Sequence, residues 1–273
     1  MSELQVLCVS MHQKDFSLVD KMNIKTDAII SNQCDETSYN KCVIENNVIE
    51  LISSETRGVG INRNIGLANA SGRICLLSDD DMVLRKDYES MIIRDFDNHP
   101  DADLIIFNIG TTTPEFGRIP TVTRKFKRLR WWNKNPYGAP RVAFRLNSIR
   151  RTNIYFSELF GGGALFPSGE DSLWIAQLLN AGLKIFISPT YIGDVSYSQS
   201  SWHSSDEKRI KYGQGALLEA RPIPFKFLFS IYYSIKKSKN MTIREAYNWI
   251  RNGRRGYREL TSYELYVAKE GKR

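Results

Sequence analysis

The sequence has few of the features that mark a secreted or membrane-spanning protein. Its 273 residues include only four cysteines, which show no CxxC pairing, so we expect buried free thiols. No stretch reaches the roughly 18 apolar residues of a spanning helix. The N-terminus also lacks a charged segment followed by a long apolar core. These absences together predict a reducing, cytoplasmic location.

Motifs for binding RNA or DNA are missing as well, and the positive charge is confined to one end of the chain. The formal net charge is +8, yet residues 208–273 alone contain 16 Lys or Arg against 5 Glu. A basic segment that also carries the aromatic run 225–233 is typical of binding to an anionic membrane surface. We therefore expect peripheral association with the inner face of the plasma membrane and no nucleic-acid partner. Packing of this segment on the main domain is the alternative.

The chain is long enough to bury one sizeable core, and 42% of its residues are hydrophobic. Its first half alternates strand-like and helix-like patterns. A helix is predicted within residues 57–72, where Ile61, Ile65 and Ala68 fall on one face and Gly72 suits the position after the last turn. Apolar runs of strand length occur at residues 4–9, 27–31, 48–52, 74–77 and 102–109. This order predicts an α/β fold with a doubly wound, mainly parallel sheet over residues 1–110.

Three adjacent carboxylates follow the apolar run 74–77 after a single serine: Asp79, Asp80 and Asp81. Adjacent carboxylates repel one another, and a divalent cation bound by hard oxygen ligands is the simplest compensation. Mg²⁺ or Mn²⁺ at the carboxyl end of a strand would also favour a phosphate partner. The competing interpretation is a solvated acidic turn that caps a helix beginning near Met82.

A second group of functional candidates follows the glycines at residues 161–163, which allow a backbone to approach a ligand closely. Ser168 is predicted to cap a helix that runs to about Asn180. Glu170 and Asp171 then lie in its first turn, where the helix dipole favours the ionised form. When these two acids are considered alone, ordinary helix capping is the better explanation.

The segments around these groups combine basic and aromatic residues. Residues 111–151 are rich in Pro, Arg and Trp and are most basic at 124–132. They are predicted to form a loop that covers a site or simply stays solvated. The alternatives are that Trp131 and Trp132 stack on a sugar, that the basic and aromatic residues stack on nucleic-acid bases, or that they hold an anionic lipid-linked acceptor. Further along the chain, His203 follows Trp202. His203 is a candidate ligand, and simple packing beside Trp202 is the alternative. Arg63 and Asn64 are candidates to face a diphosphate or to orient the acidic loop, with a solvated helix surface as the alternative.

The segment Asn62–Gly72, followed by a strand and Asp79–Asp81, resembles the nucleotide-sugar half of family 2 glycosyltransferases with the GT-A fold. The glycine-rich run followed by Glu170 and Asp171 is similar to the acceptor half of the same family. These two matches come in the order expected of the family. The resemblance implies residues 1–205 as the transferase domain, with halves 1–110 and 111–205, followed by a helical segment at 206–273.

The resemblance also implies roles for individual residues. Asp79 and Asp81 would hold Mn²⁺ or Mg²⁺, and Asp80 would take part in binding the nucleotide. Asn32, Gln33 or Asp35 would hydrogen-bond a pyrimidine base, although acidic residues are more usual there. Asp171, with Glu170 as its alternative, would be the general base, and His203 would contact the metal or the diphosphate. The expected reaction is inverting transfer from a UDP-sugar to a lipid-linked or polysaccharide acceptor.

Direct displacement requires a carboxylate across the sugar from the departing diphosphate, because a sugar hydroxyl is a poor nucleophile at neutral pH. This chemistry, apart from the resemblance, also favours Asp171. Two other functions remain open from the residues. The run Asp79-Asp80-Asp81-Met82-Val83 fits the DxDx[TV] pattern of a haloacid-dehalogenase-type phosphatase. The other alternative is a sugar- or lipid-binding module without catalysis, in which the acidic turn is structural.

Overall fold

A computed structural model describes residues 2–113, 122–130, 138–196, 206–236 and 241–270. Ten strands within these ranges form one sheet in the order β3-β4-β2-β1-β5-β9-β7-β10-β6, with β8 paired to β10. The strands are β1 (Leu4–Met11), β2 (Asp27–Gln33), β3 (Ser38–Ile44), β4 (Asn47–Ser54), β5 (Ile74–Asp79), β6 (Met82–Leu84), β7 (Leu104–Thr111), β8 (Lys127–Arg128), β9 (Val142–Arg145) and β10 (Ile185–Val195).

The sheet is mainly parallel, as predicted. Strands β4, β2, β1 and β5 pair in parallel, and so do β7 and β10. Because β9 is antiparallel to both β5 and β7, those two strands also run in the same direction. Six strands therefore end at one edge, which is where α/β sheets bind ligands.

Helices cover both faces of this sheet. They are α1 (Leu18–Lys21), α2 (Val59–Asn69), α3 (Tyr88–Asn98), α4 (Leu146–Arg150), α5 (Glu170–Asn180), α6 (Glu207–Ala220), α7 (Lys226–Ile235), α8 (Ile243–Arg258) and α9 (Tyr263–Glu270). Alternate residues of the central strands enter two different cores, as the period of two requires. In β1, Val6 joins α1 and α3 in one core, whereas Leu7 joins α2 and α5 in the other.

Four strands were not predicted, namely β3, β6, β8 and β9, and each is short or unusual in composition. Strand β3 is largely exposed and forms an antiparallel hairpin with β4 at the sheet edge. Strand β9 lies inside the predicted loop 111–151, yet it occupies the centre of the sheet between β5 and β7. Its apolar part is only Val142, Ala143 and Phe144, all buried. A run of three apolar residues is too short to show a period.

The buried face of α2 differs from the apolar face that the sequence predicts. Ile61 and Ile65 are half-buried, and Ala68 is exposed. The buried residues are instead Gly60, Asn62, Arg63, Gly66 and Leu67. The prediction was wrong because hydrophobic periodicity cannot identify polar side chains that are buried with partners. The Asn62 side-chain amide, for example, donates to the Ser31 carbonyl over 2.7 Å.

Two helix starts also differ from their predicted positions. The chain after the aspartates continues as β6, which pairs with β10, and the next helix begins only at Tyr88. Helix α5 begins at Glu170 with Gly169, not Ser168, at its N-cap. Gly169 has a φ of 114°, and a Cβ there would lie 2.9 Å from the Leu217 side chain. The left-handed conformation and the close contact both favour glycine.

Helices α6, α8 and α9 contact the sheet domain through one apolar cluster. Phe160, Phe166 and Leu173 meet Tyr212 and Ala216 of α6, with residues of α8 and α9 packed around them. Helices α6 and α8 approach closely at glycines, since a Cβ at Gly215 would lie 2.0 Å from the carbonyl oxygen of Ile250. Part of the basic segment therefore packs on the main domain, which was the alternative to membrane contact.

Among the described residues, no helix is both long enough and apolar enough to cross a bilayer.

Candidate active site

The candidate site lies at the edge where β1, β2 and β5 end. Ser10 of β1 pairs in register with Asn32 of β2, and Val9 pairs with Asp79 of β5. Helix α2 starts after the neighbouring strand β4 and places Arg63 on its buried side. The parallel order of the strands thus brings the acidic turn beside the start of α2, although the two segments are separate in the sequence.

Arg63 joins the two acidic groups that the sequence analysis identified separately. Its Nη2 lies 3.1 Å from Asp79 Oδ1, and its Nη1 lies 3.1 Å from Glu170 Oε1. The same Nη1 donates to Asp171 Oδ1. The guanidinium also lies over the Phe156 ring, 5.5 Å from its centroid. One cation therefore connects β5 with the first turn of α5.

The Arg63 side chain is only 4% exposed, so its charge depends on these partners. Burial lowers the pKa of the guanidinium, but Asp171, Asp79 and Glu170 raise it by more, and the net direction is upward. Three carboxylates surround one guanidinium, so the group retains a negative charge when all of them are ionised. Such an arrangement attracts a further cation or a proton.

Asp171 and Glu170 differ in their access to solvent. The Glu170 side chain is 3% exposed, whereas that of Asp171 is 17% exposed. Asp171 Oδ2 also accepts a hydrogen bond from the Ala139 backbone over 2.8 Å. Burial raises the pKa of Asp171 to about 7 against the opposing effect of Arg63. Asp171 is thus the more accessible acid, and it titrates near neutral pH.

Two glycines allow the loop before α5 to approach α2 this closely. A Cβ at Gly60 would lie 2.3 Å from the carbonyl oxygen of Ser157. A Cβ at Gly161, whose φ is 108°, would lie 2.4 Å from Val59 and 3.0 Å from the Glu170 carboxylate. The glycine run therefore serves close packing of backbone around Glu170 in this structure.

The remaining two aspartates lie on the other side of the acidic turn. Asp80 Oδ2 accepts a hydrogen bond from the Ser10 hydroxyl over 2.7 Å. Asp81 Oδ1 is buried and has no hydrogen-bond partner among the described residues. Burial, together with the charges of Asp79 and Asp80, raises the pKa of Asp81 to about 7. A buried carboxylate oxygen without a partner is costly, and it needs either a proton or a cation.

These residues fit a hard divalent cation in chemistry, because carboxylate oxygens are the ligands that Mg²⁺ and Mn²⁺ prefer. No group of three or more His, Cys, Asp or Glu converges as a complete ligand set in the described ranges. The acids would therefore bind a cation together with oxygens from elsewhere, such as a diphosphate or water. His203, the other predicted metal ligand, and Trp202 lie outside the residues that the structure describes.

The predicted nucleotide contacts are placed less favourably for direct binding. The Asn32 side chain is buried, accepts from the Gln13 backbone N–H and donates to the Gln13 carbonyl and to Ser53. Gln33 accepts from the Gly58 N–H over 2.8 Å. Both amides thus support the loops around the site, and their roles in reading a base stay predictions.

Asp35 and Asn64 also bond to protein groups. Asp35 is exposed and forms a 2.5 Å ion pair with Arg57. Asn64 donates to the Phe156 carbonyl over 2.9 Å and accepts from the Phe156 N–H over 2.8 Å. This bidentate contact fixes the loop that places Phe156 under Arg63. Asn64 acts on the site through that loop in this structure, and direct contact with a diphosphate stays a prediction.

Three contributors to the site were missed by sequence reasoning: Ser10, Ala139 and Phe156. Ser10 directly follows the predicted strand 4–9 and could have been identified from that position, because strands end at the binding edge. Ala139 contributes only a backbone N–H and Phe156 only a ring face, so neither has a sequence signal. Trp131 and Trp132, which were candidates to stack on a sugar, lie in a range that the structure leaves undescribed.

Comparison with solved structures places this fold in a known class. The structure of S. aureus TarS residues 1–349 matches with a TM-score of 0.59 at 13% identity, over 96% of this chain and 93% of that one. Its complex with UDP-GlcNAc matches with a TM-score of 0.58 at the same identity and coverage. The mannosyltransferase PcManGT from Pyrobaculum calidifontis, in complex with GDP-Man and Mn²⁺, matches with a TM-score of 0.50 at 10% identity, over 99% and 79%.

These likenesses establish the fold as that of GT-A glycosyltransferases, as the sequence predicted. No curated protein sequence matches the chain. Residues 25–153, which include Arg63 and the three aspartates, match the family model described as glycosyl transferase family 2. This match over residues 25–153, together with the fold, supports a glycosyltransferase enzyme.

Proposed function

We propose that the chain is an inverting, metal-dependent transferase that moves a sugar from a UDP-sugar to an acceptor hydroxyl. The observation that carries this proposal is the double contact of Arg63 with Asp79 and with the Glu170–Asp171 pair. It brings an acid at the donor edge of the sheet and a candidate base within the reach of one guanidinium. An enzyme that catalyses direct displacement needs both groups on opposite sides of one sugar.

The donor is proposed to bind at the ends of β1, β2 and β5. Related solved structures hold UDP-GlcNAc, UDP or GDP-Man, which supports a nucleotide sugar as the class of donor. UDP is proposed over GDP from the family resemblance. Asn32 and Gln33 already bond to protein groups, so the base would be read by their remaining hydrogen-bonding capacity or by Asp35 after release from Arg57.

Asp171 is proposed to remove the proton of the acceptor hydroxyl. Its carboxylate keeps access to solvent, whereas Glu170 is almost completely buried. Arg63 and the Ala139 N–H hold it in one orientation and favour its ionised form. Glu170 is proposed to position Arg63. A base that lies across Arg63 from Asp79 suits inversion, because nucleophile and leaving group occupy opposite faces of the sugar.

Asp79 and Asp81 are proposed to hold Mn²⁺ or Mg²⁺, with Asp80 fixed by Ser10 as a possible third contributor. The buried Asp81 oxygen without a partner supports this assignment. The bound cation would supply positive charge that stabilises the departing diphosphate. Arg63 contributes a permanent charge next to Asp79. His203 is retained as a proposed further ligand from the family resemblance.

The acceptor is proposed to be a lipid-linked or polysaccharide precursor at the inner face of the plasma membrane. The basic surplus of residues 208–273 supports association with an anionic surface. We also propose the division into a transferase domain at 1–205 and a helical segment at 206–273. Helices α6 and α8 contact the transferase domain, so the segment would hold the enzyme at the surface in a fixed orientation.

A donor screen tests the proposed reaction. The purified chain is incubated with UDP-, GDP- and dTDP-sugars, with Mn²⁺ or with EDTA, and release of nucleotide diphosphate is measured. We expect release from one UDP-sugar, loss in EDTA and recovery on adding Mn²⁺. Asp81→Asn should abolish it, whereas Asp101→Asn, an exposed acid beside Lys184, should not. Turnover in EDTA would refute the metal assignment.

Two other outcomes would replace the proposal. Cleavage of a phosphomonoester without any turnover of nucleotide sugars would favour a phosphatase. Binding of a nucleotide sugar without turnover, with or without a range of acceptors, would favour a binding module. The stereochemistry of the product settles inversion, since retention at the anomeric carbon would contradict direct displacement by a hydroxyl that Asp171 deprotonates.

A further inference from the structure

Helix α7 presents a continuous apolar stripe to solvent. The exposed fractions are 56% for Phe227, 59% for Leu228, 38% for Ile231, 37% for Tyr232 and 62% for Ile235. Counted from Phe227, the other four residues lie one, four, five and eight positions further along the chain. This spacing places all five along one side of a helix. Apolar stripes of this kind on soluble proteins commonly mark interaction surfaces.

The opposite side of α7 is fixed to the protein. Ser230 and Ser234 are buried, and Arg254 of α8 contacts both the Ser230 hydroxyl and Glu219. The buried Lys211 ammonium donates to the carbonyl of Tyr233 over 2.7 Å and to that of Lys236 over 2.9 Å. These bonds hold the last turn of α7, so the stripe faces outward as part of the folded structure.

The surroundings of the stripe are basic. The Phe227 ring lies 6.3 Å from that of Tyr247 on α8. Arg244 and Arg251 are exposed and lie three and four residues from Tyr247, on the same side of α8. From residue 221 to residue 244 the sequence contains six Lys or Arg and no Asp or Glu. An apolar stripe bordered by positive charge is complementary to the interface of an anionic bilayer.

We infer that α7 inserts this stripe into the interface of an anionic membrane and lies parallel to its surface. This inference deepens the proposed membrane association by naming the helix that enters the bilayer. Ten residues span about 15 Å, which is half of the hydrocarbon thickness, so α7 lies in the plane. A symmetric contact between two copies would bring one basic border against the same border of its partner. Repulsion between the borders disfavours that alternative.

Co-flotation of the full chain with vesicles tests the inference. Vesicles of phosphatidylcholine alone are compared with vesicles that also contain phosphatidylglycerol, at low and high salt. We expect binding to the anionic vesicles that weakens with salt. The double variant Leu228→Ser/Ile231→Ser should reduce the partition constant by about tenfold or more, because two apolar side chains no longer enter the interface.

A control variant removes one exposed apolar side chain from another surface. Val43→Ser alters a side chain that is 67% exposed on the edge strand β3, and it should leave partitioning unchanged. In a second measurement, Leu228→Trp should show a blue-shifted emission with anionic vesicles, whereas Val43→Trp should show none. Equal loss of binding in both serine variants, or no shift for Leu228→Trp, would overturn the inference.

Two further readouts separate this inference from its competitors. The first readout is the oligomeric state without vesicles. If wild type is a dimer, and the double serine variant is a monomer that binds vesicles as well as wild type does, then the stripe binds a second copy. Release of nucleotide diphosphate without vesicles should be equal in wild type and the double variant, since α7 contributes no residue to the site. Vesicle binding without any turnover would support this inference while refuting the proposed function.

Discussion

Two groups of carboxylates meet at one edge of the sheet, and they differ in the source of their compensating charge. Asp79, Glu170 and Asp171 surround the buried guanidinium of Arg63. Asp80 accepts a hydrogen bond from the Ser10 hydroxyl, a neutral donor, and Asp81 Oδ1 has no partner in the described part of the chain. In the first group the protein supplies a buried cation that offsets part of the negative charge, whereas the second group has no such cation and requires one from outside.

The difference separates residues that shape the site from residues that bind a ligand. Removing one partner from a buried ion pair leaves an unpaired charge and costs far more than removing an exposed pair. The Arg63 group should therefore contribute to stability in the absence of any ligand. The Asp81 carboxylate should instead lower stability until a proton or a cation arrives.

The largest expected effect follows from the accessible acid of the first group. Asp171→Asn preserves shape but removes basicity, so we expect transfer to fall by roughly 10² to 10⁴ while nucleotide binding is spared. Since burial raises the pKa of Asp171 to about 7, wild-type kcat/KM should also fall about tenfold per pH unit below that value. Rates measured on both sides of pH 7, with binding measured by calorimetry, check both expectations.

Glu170→Gln is the companion variant, because Glu170 contacts the same Arg63 nitrogen but is nearly buried. Its transfer rate should fall less than that of Asp171→Asn, and its pH profile should keep the decline below pH 7. Near-normal transfer in Asp171→Asn together with loss in Glu170→Gln would move the base by one residue. Near-normal transfer in both would leave these acids a role in Arg63 positioning alone.

A comparable effect on stability is expected for Arg63→Met. Methionine keeps most of the apolar stem but leaves Glu170 and Asp171 without their cation, at a cost of about 3 to 5 kcal/mol at neutral pH. Urea unfolding at neutral and acidic pH measures it. The cost should shrink at acidic pH, where protonated carboxyls no longer need compensation.

Arg57→Met is the matched control, because its pair with Asp35 is exposed. Exposed ion pairs contribute little, so this variant should lose less than about 1 kcal/mol. An equal loss of stability in the two variants would contradict the view that Arg63 is a buried cation whose charge is needed by the surrounding acids. A cost for Arg63→Met that is independent of pH would point to lost packing on Phe156 in place of lost charge.

Much of the fold could be predicted from the sequence because its signals are local. The runs at 4–9, 27–31 and 74–77 are apolar and of strand length, and the structure places them as β1, β2 and β5. Strand β9 has only three apolar residues, and its place at the sheet centre depends on pairing with β5 and β7 over long separations. Such pairing leaves no periodic signal in a single sequence.

The charged members of the candidate site were visible in the sequence, but their arrangement was not. Asp79 and Asp171 were identified from the local patterns around them, whereas their common contact Arg63 lies 16 and 108 residues away from them. The same hydrophobic-period argument that identified α2 assigned its buried side to Ile61, Ile65 and Ala68. A buried arginine is favourable only with its acids present, and a single sequence does not show which acids those are.

The smallest expected effect tests the second group directly and has the opposite sign. Burial and the charges of Asp79 and Asp80 raise the pKa of Asp81 to about 7, so the folded state holds this proton more tightly than the unfolded state. Stability is then lost as pH rises from about 4 to about 7. In EDTA at pH 8, Asp81→Asn should therefore raise the free energy of unfolding by on the order of 1 to 2 kcal/mol relative to wild type, seen as a higher Tm, and it should change Tm little at pH 4.

Adding Mn²⁺ should reverse the order of the Tm values of wild type and Asp81→Asn, because a cation that binds only the folded state stabilises it. Wild-type Tm should rise with Mn²⁺ at pH 8, whereas Asp81→Asn should respond weakly. Asp101→Asn provides the control, since this exposed acid lies before the start of β7, at the edge opposite the site. A pH-dependent gain of Tm in Asp101→Asn, or an equal Mn²⁺ response in Asp81→Asn, would show that Asp81 is not the carboxylate that awaits a cation.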